Sequence, residues 1–288
     1  MKKEASVIGG DLRQLTLARR LAEDGFDVKI FGFDKDLPGT MPQKAESCGE
    51  AAGRQMIILP IPVSSDNENI NAPFAKQTIH IDQLISEIAV HTLVFAGKPS
   101  AAVKAKFSQK NITLHDYFDR EELMVKNAIA TGEGAVEIAI AETPKTIYNS
   151  RCLVLGYGRI GKLLSRTLQG LGAHVSVSAR KCSDFAWIEA NGYKVLKTGA
   201  LINNIGGYDI IFNTIPAMVL DREVLSNIDS ETLVIDLASK PGGVDFSMAK
   251  EMGLKVIWAL SLPGKVAPIT SGEIIKDTIL NMLSELEV

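Results

Sequence analysis

RCLVLGYGRIGKLLSRTLQG, residues 151–170, holds a strand, a turn and the start of a helix in the order that decides the fold. Cys152–Leu155 is apolar throughout. Gly156, Gly158 and Gly161 follow at G-x-G-x-x-G spacing, with Leu163, Leu164, Leu168 and Leu171 at helical spacing behind them. In a dinucleotide-binding βα turn each glycine has its own task. Gly156 makes the tight bend, Gly158 lets the backbone approach a pyrophosphate, and Gly161 lets helix and strand pack closely. The helix that opens there offers N–H groups and a partial positive charge to an anion. The spacing alone is a weak signal, but the strand before it, the helix behind it and a second strand, His174–Ser178, supply the context. The expected nucleotide contacts are Gly156, Tyr157, Gly158, Arg159, Ile160 and Gly161. The competing reading is a glycine turn that packs a βα unit and binds nothing.

The end of the second strand chooses between nucleotides. An NAD site places Asp or Glu there for the ribose hydroxyls, whereas this chain has Ala179, Arg180, Lys181, Cys182 and Ser183. Two cations and a hydroxyl suit a ribose 2′-phosphate, so Ala179, Arg180, Lys181 and Ser183 imply NADP; a solvated basic turn is the alternative. Ligands of open parallel sheets lie beyond the carboxyl ends of the strands. Asn213, Thr214, Ile215 and Pro216 after one later strand, and Asp236, Leu237, Ala238 and Ser239 after another, therefore join the expected cofactor side. Pro216, Gly242 and Gly243 serve equally well as plain turn residues.

Outward from this unit, short apolar runs alternate with amphipathic segments. ASVIGG, Leu12–Glu23, VKIFGF, MIILPIPV, Ile79–Val90 and HTLVFAG fill the first half. The rhythm restarts with RCLVLGYG, HVSVSAR, YDIIFNTI, TLVIDLAS and LKVIWAL. Such runs read as βαβ units whose strands are covered on both faces. The expectation is an α/β chain of two Rossmann-like, doubly wound parallel sheets separated by a cleft. Residues 1–128 form the first domain, completed by the C-terminal helix 271–288 (helical stretch Ser271 to Glu287), and 129–270 form the NADP-binding domain with its linking helix. Asp116–Thr146 reads as interdomain helices without a clear strand. Gly9 and Gly10, after the first strand, lack the fingerprint spacing and read as a ligand-facing turn.

At 288 residues the chain has room for two ordinary domains. No apolar run reaches the length of a membrane span, and MKKEASVIGG has no leader-like apolar segment, so a soluble cytoplasmic protein is expected. Cys48, Cys152 and Cys182 are odd in number and widely spaced, which fits neither a disulfide framework nor a metal site. A net charge of −3 without a basic stripe argues against nucleic acid. The four histidines, His80, His91, His115 and His174, leave none late in the cofactor domain to carry the proton of alcohol-to-ketone chemistry. His174 reads as a structural residue of a buried strand.

These turns together resemble the A subunits of dipicolinate synthase. The resemblance covers nearly the whole chain through VIGGDLRQ (7–14), VLGYGRIGK (154–162), ARKCS (179–183), NTIPAMVL (213–220), DLASKPGGVDF (236–246) and LPGKVAP (262–268). It implies paired Rossmann-like domains, a nicotinamide nucleotide in the second, and oxidation of dihydrodipicolinate to dipicolinate during sporulation. The partner it implies is a flavoprotein B subunit, and the location it implies is the mother-cell cytoplasm. Candidate anchors for the substrate's carboxylates are Arg13, Lys240 and Lys265, and Thr131–Gly134 would add backbone donors if it opened a helix. Two other readings stay open: an NADP-binding subunit with a structural or regulatory role, and a stand-alone NADP-dependent dehydrogenase of a small carboxylic acid. A homo-oligomer is also left open.

Overall fold

The structure, a computed structural model, describes residues 3–286. The first two and last two positions of the expected domains, including the end of the expected terminal helix at Glu287, lie outside the described residues. The chain divides into two compact units. One runs up to Lys126 and resumes at Ala267; the other is Asn127–Val266.

The first unit is built from β1 (Glu4–Ile8), α1 (Leu12–Glu23), β2 (Asp27–Phe31), β3 (Gln43–Lys44), α2 (Cys48–Ala52) and β4 (Met56–Ile58). It continues through α3 (Ile81–Glu87), β5 (Leu93–Ala96), α4 (Ala101–Ser108) and β6 (Leu114–Asp116). All strands are parallel, in the order β3-β2-β1-β4-β5-β6. Successive residues of β1 and β4 feed opposite cores. Ala5, Val7, Met56 and Ile58 pack on one face, Ile8 and Ile57 on the other, which is why these strands are apolar without alternation.

Helix α5 (Glu121–Glu142) carries the chain into the second unit. There follow β7 (Arg151–Leu155), α6 (Arg159–Gly170), β8 (His174–Ala179), α7 (Cys182–Ala190), β9 (Lys194–Lys197), a 3-10 segment Thr198–Asn203 and β10 (Ile210–Asn213). Then come α8 (Arg222–Leu225), β11 (Leu233–Asp236), α9 (Phe246–Glu251), β12 (Lys255–Trp258) and α10 (Leu262–Val266). The parallel order β12-β11-β10-β7-β8-β9 is the same topology as in the first unit. In both, the strand order reverses beside the first strand, at β1/β4 and at β7/β10, where doubly wound sheets take their ligands.

The last helix, α11 (Pro268–Glu285), belongs to the first unit and packs on α1. Small residues set that approach: a Cβ on Gly272 would sit 2.5 Å from the Arg13 carbonyl oxygen. Asp116–Thr146 holds the last residue of β6, a 3-10 turn at Tyr117–Asp119 and one long helix, α5, where several helices and no strand were expected. Strands β3, β6 and β9 are additions to the sequence reading. Each is short and lies on or next to a sheet edge, and QK, LHD and KVLK carry no apolar run for a pattern to reveal. Among the described residues no helix is long and apolar enough to cross a membrane.

Candidate dinucleotide site

The fingerprint turn lies between β7 and α6. Gly156 has φ +96°, which only glycine adopts without strain, and a Cβ there would meet Thr214 Oγ1 at 2.6 Å. Its N–H donates to the Ser178 carbonyl at 3.0 Å, tying the turn to β8. Thr214 closes the other side, donating its hydroxyl to the Leu155 carbonyl at 2.8 Å. Gly161 faces the Gly156 carbonyl so closely that no side chain fits. Gly158 differs from both: its φ is ordinary and nothing lies within 4 Å of where a Cβ would be. Two glycines therefore serve the packing of this turn, and the third guards open space.

Helix α6 starts at that open space with Gly158 as N-cap and no side-chain cap. The equivalent helix of the first unit is finished differently. Asp11 caps α1 and accepts from the Arg13 N–H at 2.9 Å, while Gln14 Oε1 accepts from the Asp11 N–H at 3.1 Å. A carboxylate of the chain itself thus occupies the position a bound phosphate would take, and Arg13 locks it by a two-pronged ion pair. Two units of one topology differ at the one feature that selects for an anion.

Tyr157 points away from that space into the core, 9 % exposed. Burial raises its hydroxyl above the ordinary tyrosine range, and Asn191 donates to it at 3.3 Å. Arg159 is exposed and Ile160 half-buried at the start of α6. Ala179 is buried at the end of β8; Arg180, Lys181 and Ser183 are exposed just beyond it, and α7 begins there without a side-chain cap. Neither Arg180 nor Lys181 has an ion-pair partner among the described residues.

Asn213 and Asp236 are fully buried and bonded to each other at 2.8 Å. Asp236 also accepts from the N–H groups of Ala238, at 3.0 Å, and Gly243, at 2.9 Å. Asn213 accepts from the Ile215 N–H at 3.1 Å and donates to the Ile215 carbonyl at 3.0 Å. The pair braces the two turns that border the site. Thr214 and Ile215 are half-buried against Gly156, Pro216 and Ser239 are exposed, and Leu237 and Ala238 are buried. Gly243 must be glycine, since a Cβ would lie 2.2 Å from Asn213 Nδ2. The Gly242-Gly243 dipeptide was its sequence signal.

Among the carboxylate candidates, Arg13 is 9 % exposed, with Nε and Nη2 committed to Asp11 and Nη2 also to the Ile61 carbonyl at 2.8 Å. Lys240 and Lys265 are exposed, on the turn after β11 and on α10. Thr131–Gly134 does not open a helix. It lies inside α5, whose own ladder uses its amides. His174 is exposed at the start of β8, where a buried structural residue was expected. Among the described residues no group of His, Cys, Asp and Glu could hold a metal ion.

Two sheets of this topology, with a glycine fingerprint at one switch point, define a two-domain Rossmann-type protein. A transhydrogenase from Sinorhizobium meliloti shares that fold, with a TM-score of 0.73 at 16 % identity over 98 % of this chain and 94 % of the other. Residues 4–118 match the family model of the N-terminal domain of the dipicolinate synthase A subunit. The chain is 35 % identical to the dipicolinate synthase A subunit of Bacillus subtilis (strain 168), over 98 % of this chain and 96 % of the relative. The crystal structure of the dipicolinate synthase A subunit from Bacillus halodurans superposes with a TM-score of 0.90 at 32 % identity, covering 98 % and 97 % of the two chains. The chain belongs to the family of dipicolinate synthase A subunits.

Proposed function

We propose that this chain binds NADP at the Gly156–Gly161 turn and serves as the nicotinamide-binding subunit of a dipicolinate synthase, together with a flavoprotein B subunit, in the mother cell of a sporulating bacterium. The observation that carries the reading is the contrast between the two helix starts. That of α1 is closed by Asp11, whereas that of α6 is capped only by Gly158, with open space above it and Arg180 and Lys181, without an ion pair among the described residues, just beyond the next strand. The residues present fit the group: amides and helix dipole for the pyrophosphate, a guanidinium for the 2′-phosphate.

When bound, oxidised NADP accepts a hydride at its nicotinamide C4. Held by the Gly156–Gly161 turn with Arg180 and Lys181, it would supply the two-electron oxidant for converting dihydrodipicolinate to dipicolinate. Aromatisation of the ring supplies driving force, so the chain's task is positioning and charge complementarity rather than strong base catalysis. Arg13, Lys240 and Lys265 are the proposed carboxylate anchors.

Calorimetry with NADP and NAD tests the nucleotide assignment, with NADP expected to bind at least tenfold more tightly. Equal affinities overturn it. Assays of the single chain and of the two-subunit mixture on dihydrodipicolinate test the division of labour; turnover by the single chain would make the partner unnecessary. Arg13→Ala, Lys240→Gln and Lys265→Gln are expected to raise the KM for substrate and leave nucleotide affinity alone. Wild-type KM in any of the three removes that residue from the anchor set.

A further inference from the structure

At the opposite edge of the second sheet, at the amino ends of β7, β8 and β9, lies a groove of about 320 Å³. That volume falls within the usual range of small-molecule sites, about 300–1,000 Å³. Its walls include Arg151, His174, Ser176, Tyr193, Lys194 and Tyr208. The topology explains why it is open. A parallel crossover is ordinarily an α-helix that covers the sheet face, but the link from β9 to β10, residues 198–209, holds no α-helix, only the 3-10 segment Thr198–Asn203. Leu201 and Ile205 from this link cover Leu153 and Leu155. The register puts Arg151 beside His174, and Ser176 between Leu153 and Lys194. The polar residues therefore share the face that carries Leu153 and Leu155, at the amino end of the strands, where Tyr208 from the link forms one wall.

The groove is lined by basic side chains. Arg151, His174 and Lys194 make no ion pair among the described residues. The Arg151 guanidinium lies 5.5 Å from the centre of the Tyr208 ring. Asp209, the adjacent acid, is occupied by the Arg151 N–H and by Lys145. Ser176 is 5 % exposed, yet its hydroxyl has no hydrogen-bond partner among the described residues. The residue lines the groove, so its hydroxyl can donate to a ligand that enters.

We propose that this groove is a second binding site, distinct from the dinucleotide turn, for a small polyanion bearing two or more carboxylate or phosphate groups. Lys194 and Arg151 hold its charges, and His174 and Ser176 offer hydrogen bonds. Because the groove and the fingerprint turn lie at opposite ends of the same strands, the two ligands bind without competing.

Calorimetric titration of citrate and of pyrophosphate into the full chain tests the proposal. Saturable one-to-one binding is expected, with the preferred probe showing whether carboxylate or phosphate chemistry is read. Lys194→Glu should weaken binding at least tenfold and Ser176→Ala several-fold, both with wild-type circular dichroism. The double variant Arg180→Ala, Lys181→Ala should bind the probe as wild type does. Absence of saturable binding by either probe overturns the site. So does unchanged affinity in Lys194→Glu, or loss of binding in the double variant, which would place the anion at the fingerprint turn.

Discussion

A Cβ built on Gly161 would stand 2.1 Å from the carbonyl oxygen of Gly156, so the first turn of α6 rests directly on the backbone of the bend that precedes it. Gly161→Ala must push the helix away from β7. The overpacking costs about 1–3 kcal/mol, more than alanine returns in helix propensity. Urea denaturation should show a lowered midpoint with an unchanged slope. A midpoint equal to wild type would mean that the helix is free to shift.

Gly158→Ala separates binding from folding at the same turn. With nothing within 4 Å of the new methyl and an ordinary φ, stability should change by less than about 1 kcal/mol. Nucleotide affinity should nevertheless fall at least tenfold, because the methyl occupies the approach of the pyrophosphate. Wild-type affinity in this variant would make the fingerprint a packing turn.

On the proposed assignment of Arg180 to the ribose 2′-phosphate, Arg180→Ala should cost one charge-assisted contact, about 1.5–3 kcal/mol, or roughly ten- to a hundredfold in affinity for NADP. Affinity for NAD, which lacks that phosphate, should hardly move. A parallel loss of both nucleotides would point to a general effect on the site.

Cys182, exposed at the start of α7, reports on the same corner. Cys48 and Cys152 are buried, and burial lifts their thiols to about 11 and about 12. Thiolate is the reactive form, so near neutral pH an alkylating reagent should label Cys182 alone in the native protein. Saturation with NADP should slow that labelling. Mass spectrometry showing equal rates with and without nucleotide would place the ribose phosphate elsewhere.

Asp236→Asn should destabilise the second unit by about 1–3 kcal/mol. Asp236 accepts through both oxygens from three donors, and an amide would present its own N–H groups to one of them. Thermal unfolding followed by circular dichroism measures the loss. An unchanged midpoint would show that the brace between the two turns is dispensable.

By itself the sequence determined the fold class and located the fingerprint turn. These rest on local patterns. An apolar strand, three glycines at fixed spacing and leucines at helical spacing sit within twenty consecutive residues, and Arg180 lies one strand further on. What it could not show depends on residues far apart in the chain. The edge strands β3, β6 and β9 exist because a neighbouring strand offers them a ladder, not because of their own composition. The pairing of Asn213 with Asp236 spans 23 residues, and Arg13 reaches the Ile61 carbonyl across 48. Only the tertiary structure decided that Asp11 closes one switch point while Gly158 leaves the other open, since a cap is defined by where a side chain turns rather than by which residue is present. The groove at the amino ends of β7, β8 and β9 lies beside a crossover that holds no α-helix, a relationship that becomes visible only once the strands are laid side by side.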